Sequence, residues 1–223
     1  MTYFQRSLPH FSSGKHIQGK MILGGTGQKS VVPDQAVINI GVMTENEHVE
    51  NAQKENSALS NQVIESLEKI GILKNDIQTL SYTIQPIYDF VEGQSIFRAY
   101  QIKHILEVTV RDLNKVATVY EASVAAGANM SGGVRFEVSN VSVYYQEALQ
   151  LAMKDATDKA LKLGQQIGVR IMLPPAKITE EPTLISPREV ALSYSTDIPL
   201  QAAPPIQQST LEIQAKITAI FHY

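Results

Sequence analysis

The chain has 223 residues, of which 43% are hydrophobic and 18% charged, with a formal net charge of -3 and neither cysteine nor tryptophan. This length is enough to bury a sizeable core, and the mixed charges give none of the clustered basic surface that nucleic-acid binders carry. The absence of cysteine excludes disulfides, thiolate nucleophiles and sulfur-ligated metals.

The N-terminal part predicts a tail followed by two strands. We expect residues 1–19 to be irregular, a first strand near 20–31, and a turn at Pro33-Asp34 into a second strand with period-two alternation from Ala36 to Val42. No apolar run typical of a secretory signal or a membrane-spanning helix is visible. We therefore expect no transmembrane segment and a cytoplasmic protein, or an exported one if a leader has been removed.

The glycines of the first strand, Gly24, Gly25 and Gly27, superficially resemble a phosphate-binding loop. A P-loop requires a Gly-Lys-Ser/Thr triplet that closes onto a helix, whereas here Lys29-Ser30 follow Gln28 and lead into a second strand. The segment therefore predicts a bent or bulged strand at a sheet edge, with no phosphate or cofactor bound.

A helix and a long hairpin are predicted next. Thr44 to Glu47 fit a capping box that opens a helix near 47–70, and Gly71 ends it. A long strand follows, whose Pro86 places it at an edge or bulge, and a turn at 92–95 leads into a returning strand. The first strand of this hairpin carries on one face Leu80, Tyr82, Ile84, Pro86, Tyr88 and Phe90.

The remaining pattern completes an α+β fold. Asp112 caps a short helix that ends at Gly127, and a strand follows near 134–138. Ser142 opens a longer helix that ends at Gly168 and has an alanine ridge at 148, 152, 156 and 160. A short strand near 176–179, a proline-rich loop at 181–208 and a last strand at 211–221 follow. We expect one domain over 20–223, with long antiparallel strands, helices on one face, and a pseudo-repeat of two strand–helix–strand units at 36–90 and 97–138.

Two polar residues interrupt apolar stripes and are the candidate site residues. His104 lies on the apolar face of a central strand, and Asn56 lies on the apolar stripe of the first helix. For both, a structural hydrogen bond is the default interpretation and contact with a ligand the alternative. A ligand pocket between sheet and helices would be lined by His104 and by Tyr82, Tyr88 and Tyr100.

No catalytic constellation is visible in the sequence. None of the five histidines pairs with another at metal-ligand spacing, and the acidic residues Asp76, Asp89 and Glu107 follow no common pattern. We therefore predict no catalytic residue, no metal and no cofactor. An uncharacterised enzyme is the minor alternative, and it would need two of these acids or His104 to converge in a cleft.

The ordered motifs between about Met21 and Gly168 resemble the SIMPL-domain family, and the last strand fits that family's ending. One departure is His104, where family members commonly carry asparagine. The motifs that carry the resemblance are Gly25-x-Gly27, Pro33-Asp34-x-Ala36, Gly41-Val42, Gly71-Ile72, Asp76-Ile77-Gln78-Thr79, Val108-x-Val110-x-Asp112-Leu113, Ala125-Ala126-Gly127-Ala128-Asn129, Asp155-Ala156 and Gly168-Val169.

The resemblance implies an α+β fold and a non-enzymatic role, with self-assembly in some relatives, and it implies no catalytic residues. Our leading hypothesis is therefore an oligomeric interaction or structural protein, a homo-oligomer linked to the cell envelope or to oxidative stress. The alternatives are the binder of a small apolar ligand and the uncharacterised enzyme.

Overall fold

The computed structural model describes residues 19–182, 189–190 and 210–223. The expected tail at 1–19 and the proline-rich loop at 181–208 lie largely outside these ranges. Within the described residues, three α-helices are α1 (Val49–Lys69), α2 (Val116–Ala125) and α3 (Val141–Ile167), with 3-10 turns at Lys74–Asp76 and Leu113–Lys115. The strands are β1 (Lys20–Val31), β2 (Gln35–Asn46), β3 (Ile77–Val91), β4 (Gln94–Val110), β5 (Met130–Glu137), β6 (Lys177–Glu181), β7 (Glu189–Val190) and β8 (Leu211–His222).

The strands form two sheets, with the order β1-β8-β6 in one and β3-β4-β2-β5-β7 in the other. The pairs β2–β4, β2–β5, β3–β4 and β6–β8 are antiparallel. This confirms the predicted α+β class and the edge position of the strand that contains Pro86. The proposed pseudo-repeat and the single domain over 20–223 stay predictions.

The chain divides into two compact units. One lies within Met1–Gln28, Gln146–Thr183 and Gln214–Tyr223, and the other within Lys29–Tyr145 and Leu184–Ile213. The larger unit is built on the five-stranded sheet. Its α1 and α2 pack on one sheet face, because residues of β2, β4 and β5 that alternate along each strand turn their apolar side chains to these helices. This core includes Ile38, Ile40, Val42, Val63, Leu67, Leu106, Val108, Val119, Val134 and Phe136.

In the smaller unit, α3 packs closely on β1 through small residues. Ala148, Ala152, Ala156 and Ala160 of α3 are fully buried. A Cβ atom at Gly25 would collide with the Ala152 carbonyl oxygen and lie 2.9 Å from the Ala156 Cβ. The predicted strand and alanine ridge are confirmed, and the glycines allow a helix to approach the strand closely.

Two predictions about helix starts need correction. Thr44 lies inside β2, and its hydroxyl donates to the Ala52 carbonyl at 2.9 Å. The N-cap of α1 is His48, with no side-chain cap, so the capping box at Thr44–Glu47 is wrong. Strand pairing of β2 with β4 extends to Asn46 and prevails over the local motif.

Ser142 also differs from expectation, while the Asp112 cap and the helix ends do not. The Asp112 carboxylate accepts from the Asn114 N–H in the 3-10 turn that precedes α2. At α3, the Asn140 side chain accepts from the Val143 N–H, so Asn140 takes the capping role expected of Ser142. The glycines at 71, 127 and 168 have φ of 90°, 105° and 73°, as the predicted left-handed helix ends require.

Candidate functional site

A chain of hydrogen bonds joins α1 to the outer strand β3 through Asn56 and His104. The Asn56 amide donates to the Val42 carbonyl at 2.9 Å, and its side-chain oxygen lies 3.4 Å from the Ser60 hydroxyl. The Ser60 oxygen is 3.0 Å from Nδ1 of His104, and the Thr79 hydroxyl is 3.0 Å from Nε2 of the same ring. This polar relay fixes the orientation of both side chains.

Burial and hydrogen bonding together favour a neutral His104. Desolvation lowers the pKa of His104 from its ordinary value of 6.5. Since the Ser60 hydroxyl donates to Asn56, its oxygen accepts from Nδ1–H, and Nε2 then accepts from the Thr79 hydroxyl. Both ring nitrogens are therefore used within the protein, an arrangement that positions the ring without leaving a nitrogen free for a ligand.

The candidate tyrosines fall into two groups. Tyr82 packs edge-on against His104, with ring centroids 5.4 Å apart. Tyr88 and Tyr100 instead contact Phe97, at centroid distances of 6.0 and 5.2 Å. Tyr82 thus joins the polar relay, whereas the other two tyrosines belong to an aromatic cluster nearer the tip of the hairpin.

The acidic candidates each pair with a different arginine. Arg111 holds the buried Asp76 by two bonds of 2.7 and 2.9 Å. Glu107 accepts from Arg135 at 2.9 Å on β5. These contacts raise the pKa of both arginines, through the hydrogen bond to the carboxylate first. The structure therefore places these acids in structural ion pairs.

Asp89 follows the same pattern at greater exposure, 3.8 Å from Arg98. In the part of the chain that the structure describes, no group of three or more His, Cys, Asp or Glu residues is placed to hold a metal ion. Among the same residues, no helix is long and apolar enough to cross a membrane.

The distal part of the β3–β4 hairpin, residues 82–100, forms an arm. Most of its side chains are exposed, including large apolar ones on both faces, and Phe90 is 82% exposed. The alternation of β3 predicted a shared apolar face, but register shifts at Thr79/Ser81 and Ile87/Tyr88 interrupt it. The exposed apolar residues of the arm are Tyr82, Ile84, Tyr88, Phe90, Val91, Ile96 and Phe97.

Polar contacts brace one face of the arm. The Glu45 carboxylate of β2 accepts from Gln101 at 2.6 Å and from Arg98 at 3.0 Å. The Gln101 side-chain oxygen also accepts from Gln85 of β3 at 3.1 Å. These contacts hold the arm in an extended conformation.

At the outer strand β1, side chains of α3 form hydrogen bonds with backbone groups. The Asp155 carboxylate of α3 accepts from the Thr26 N–H at 2.9 Å, and Lys159 donates to the Gly24 carbonyl at 3.1 Å. Hydrogen bonds from Lys159 and Thr26 hold the pKa of Asp155 below its usual range. These two side chains satisfy backbone groups of an outer strand, as proteins do to protect sheet edges.

Sequence patterns gave little or no indication of several of these residues. Ser60 and Thr79 complete the polar relay, and Ser60 alone had a signal, because it lies one helical turn after Asn56 on the buried stripe. Phe97 and Ile96 follow the turn of the hairpin, where apolar residues gave no indication of exposure. The contacts of Asp155 and Lys159 with β1 depend on the packing of α3 against β1, which cannot be predicted from local sequence patterns.

Comparison with known proteins gives a consistent family result. The sequence profile described as "SIMPL: Protein of unknown function (DUF541)" matches residues 22–221. The "26 kDa periplasmic immunogenic protein" of Brucella melitensis is 28% identical over 171 residues, covering 73% of this chain and 68% of that protein. The "Uncharacterized protein YggE" of Escherichia coli (strain K12) is 26% identical over 209 residues, covering 93% of this chain and 83% of that protein.

Proposed function

The chain belongs to the SIMPL family (DUF541), and from that premise we propose that it is a non-enzymatic interaction protein that assembles with further copies of itself through the arm. The carrying observation is the set of exposed apolar side chains on residues 82–100. Soluble monomers rarely expose contiguous apolar patches larger than a few hundred Å². An arm of this composition therefore favours a partner.

The exposed apolar surface of the arm is large enough for a specific interface. The seven residues are 42% to 82% exposed, which amounts to at most about 700 Å² if each offers the ~200 Å² of an aromatic side chain. A standard protein interface buries about 800 Å² on each partner. Because these side chains lie on both faces of the arm, a partner that contacts both faces could bury most of one side of a standard interface.

The compartment we propose is outside the cytoplasm. The Brucella relative is named a periplasmic protein, which supports the exported alternative, and the cytoplasmic expectation finds no support among these relatives. A role in the envelope is compatible with this compartment, and a link to oxidative stress remains part of the hypothesis.

The two alternatives have weaker support. A small-ligand site around His104 would need a free polar group, and both ring nitrogens are already bonded to Ser60 and Thr79. An enzyme would need Asp76, Glu107 or His104 to share a cleft, whereas the two acids are held by separate arginines. The names of the Brucella and Escherichia coli relatives mention no enzymatic activity.

Light scattering over a range of concentrations tests the proposal. We expect the wild-type protein to exceed its monomer mass of 24.6 kDa, and the double variant F90S/I96S to shift towards that mass. Both side chains are mostly or half exposed, so their removal should leave the protomer folded. The control is L161S on α3, where a leucine 44% exposed lies outside the arm.

The outcomes are distinct. A wild-type protein that stays monomeric at the highest concentration would overturn the proposal, and so would equal effects of F90S/I96S and L161S. A loss of mass confined to the arm variant supports it.

A further inference from the structure

We propose that two copies of this chain join by antiparallel pairing of their β3 edges around a two-fold axis at Thr83, which extends both five-stranded sheets into one. This inference rests on the proposed function and specifies the surface and register of the contact. It follows from the direction of the backbone groups of β3, from Pro86 and from the absence of charge between Ile77 and Tyr88.

Hydrogen bonds elsewhere in the sheet fix which way the backbone of β3 points. The Asn129 side chain bonds to both the N–H and the carbonyl of Met43, so these groups point away from β4. The neighbouring Val42 therefore turns its backbone groups towards β4, where its register partner is His104. His104 thus directs its own groups to β2, and its β3 partner Tyr82 presents N–H and C=O at the open edge.

The same alternation applies two and four residues further along. The register of Tyr82, Ile84 and Pro86 against β4 has no shift in this stretch, so all three direct their backbone groups outward. Pro86 has no N–H to donate, and its position on the outward side costs the β3–β4 ladder nothing. Among the described strands, β3 has no neighbour on this side, so its stretch from Tyr82 to Pro86 offers two complete donor–acceptor residues, Tyr82 and Ile84, followed by one that can only accept.

Within the stretch from Tyr82 to Pro86, this pattern favours pairing of Tyr82 with Ile84 over pairing of Ile84 with itself. If Tyr82 of one copy lies opposite Ile84 of the second, two symmetric pairs form and all four backbone hydrogen bonds between them are made. Pairing Ile84 with itself would instead set Tyr82 against Pro86 and lose a donor on each side. The favoured register places Thr83 opposite Thr83 of the second copy on the two-fold axis, as an isologous interface requires.

The side chains also suit a second copy of the same strand. From Ile77 to Tyr88, β3 contains no Asp, Glu, Lys, Arg or His, so two copies meet without like-charge repulsion. Apolar Tyr82 and Ile84 then become cross-strand neighbours on one face, and Thr83 meets Thr83 on the other. The outer strand β6 carries Lys177, Glu180 and Glu181 in five residues and lacks this property.

The absence of native cysteine permits a direct test by disulfide trapping. Across the proposed axis, Thr83 forms a non-hydrogen-bonded pair with Cα atoms about 4.5 Å apart, which lies within disulfide range. The variant T83C should therefore form a covalent dimer under mild oxidation, seen on a non-reducing gel.

The matched control is Q85C, two residues along on the same face. In this register Gln85 lies opposite Ser81 of the second copy, so two cysteines at position 85 would be roughly 13 Å apart, too far for a disulfide. At least tenfold more dimer for T83C than for Q85C is the expected result. Equal trapping, or a preference for Q85C, overturns the register.

A third variant separates this inference from the proposed function. Because the Ile84 N–H points outward, I84P should leave the β3–β4 ladder intact and remove one donor per copy from the interface. We expect I84P to shift the light-scattering mass towards the monomer. If the wild type is oligomeric but T83C does not cross-link, self-assembly stands and β3 pairing is wrong. If the wild type is monomeric, both fail. The T83C and Q85C pair remains decisive even if I84P does not fold.

Discussion

Gly24 and Gly27 lie three residues apart in β1 and differ sharply in what a methyl group would meet. A Cβ atom at Gly27 would collide with the Ala148 carbonyl and lie 2.6 Å from the Ala152 nitrogen, both in the backbone of α3. A Cβ atom at Gly24 would have the Ile217 carbonyl, at 3.9 Å, as its nearest neighbour. The same substitution by alanine should therefore have opposite effects at the two positions.

The expected sizes follow from these contacts. At Gly24, alanine meets only ordinary contact distances and restricts the unfolded chain, so it should raise the free energy of unfolding by about 0.4–1 kcal/mol. At Gly27 the obstruction is helix backbone, and overpacking of this kind costs about 1–3 kcal/mol. For a chain of this length, each kcal/mol corresponds to roughly 2–4 °C in Tm.

Thermal and urea unfolding of G24A and G27A, measured side by side, provide the assay. We expect G27A to unfold several degrees below the wild type and G24A to unfold at or slightly above it. If the two variants had equal stability, close packing of α3 on β1 would not be the reason for glycine at position 27. A G24A variant less stable than G27A would refute the contact geometry outright.

Two further predictions concern the polar relay. Asn56→Ala should lower the free energy of unfolding by about 1–3 kcal/mol, because the buried Val42 carbonyl and the Ser60 hydroxyl lose a partner. Urea unfolding checks this, with substitution of the exposed Ser57 by alanine as the control. Equal effects of the two substitutions would contradict the prediction. The pKa of His104 is lowered by burial, so the unfolded chain binds more protons than the folded protein near pH 6.5. The contribution of His104 to stability should therefore be complete above that pH and be lost as pH falls through the folded-state pKa. H104N should flatten this pH dependence when unfolding is measured on either side of pH 6.5.

The α+β class could be predicted because the apolar periodicity changes clearly between strands and helices. The alternation along β2 and β8 and the four-residue alanine spacing of α3 each indicate one type of element. The capping box at Thr44 failed because such a motif describes only a few adjacent residues. In the structure, β2 pairs with β4 as far as Asn46, and this long-range pairing determines where α1 begins.

The candidate site was also predicted only in part. Asn56 and His104 stood out because each is polar within an apolar stripe, a signal that local sequence contains. Their connection through Ser60 to the outer strand depends on α1 lying across β4, which arises only when the sheet forms. The exposure of the arm could not be predicted for a related reason. Alternation predicts which residues share a face of a strand, but it does not predict whether another element covers that face.

The contrast between two outer strands supports the proposed pairing of β3. Backbone groups of β1 at Thr26 and Gly24 are satisfied by the side chains of Asp155 and Lys159. The 15-residue strand β3 is also an outer strand, yet its stretch from Ile77 to Tyr88 carries no charge that would discourage pairing. Since proteins protect edges of this kind against chance association, an open, uncharged edge next to exposed apolar side chains is better explained by a partner strand than by solvent. Asp76, Glu107 and His104 of this unit are held by partners within the protein, which leaves the backbone of β3 as the surface that we propose for binding.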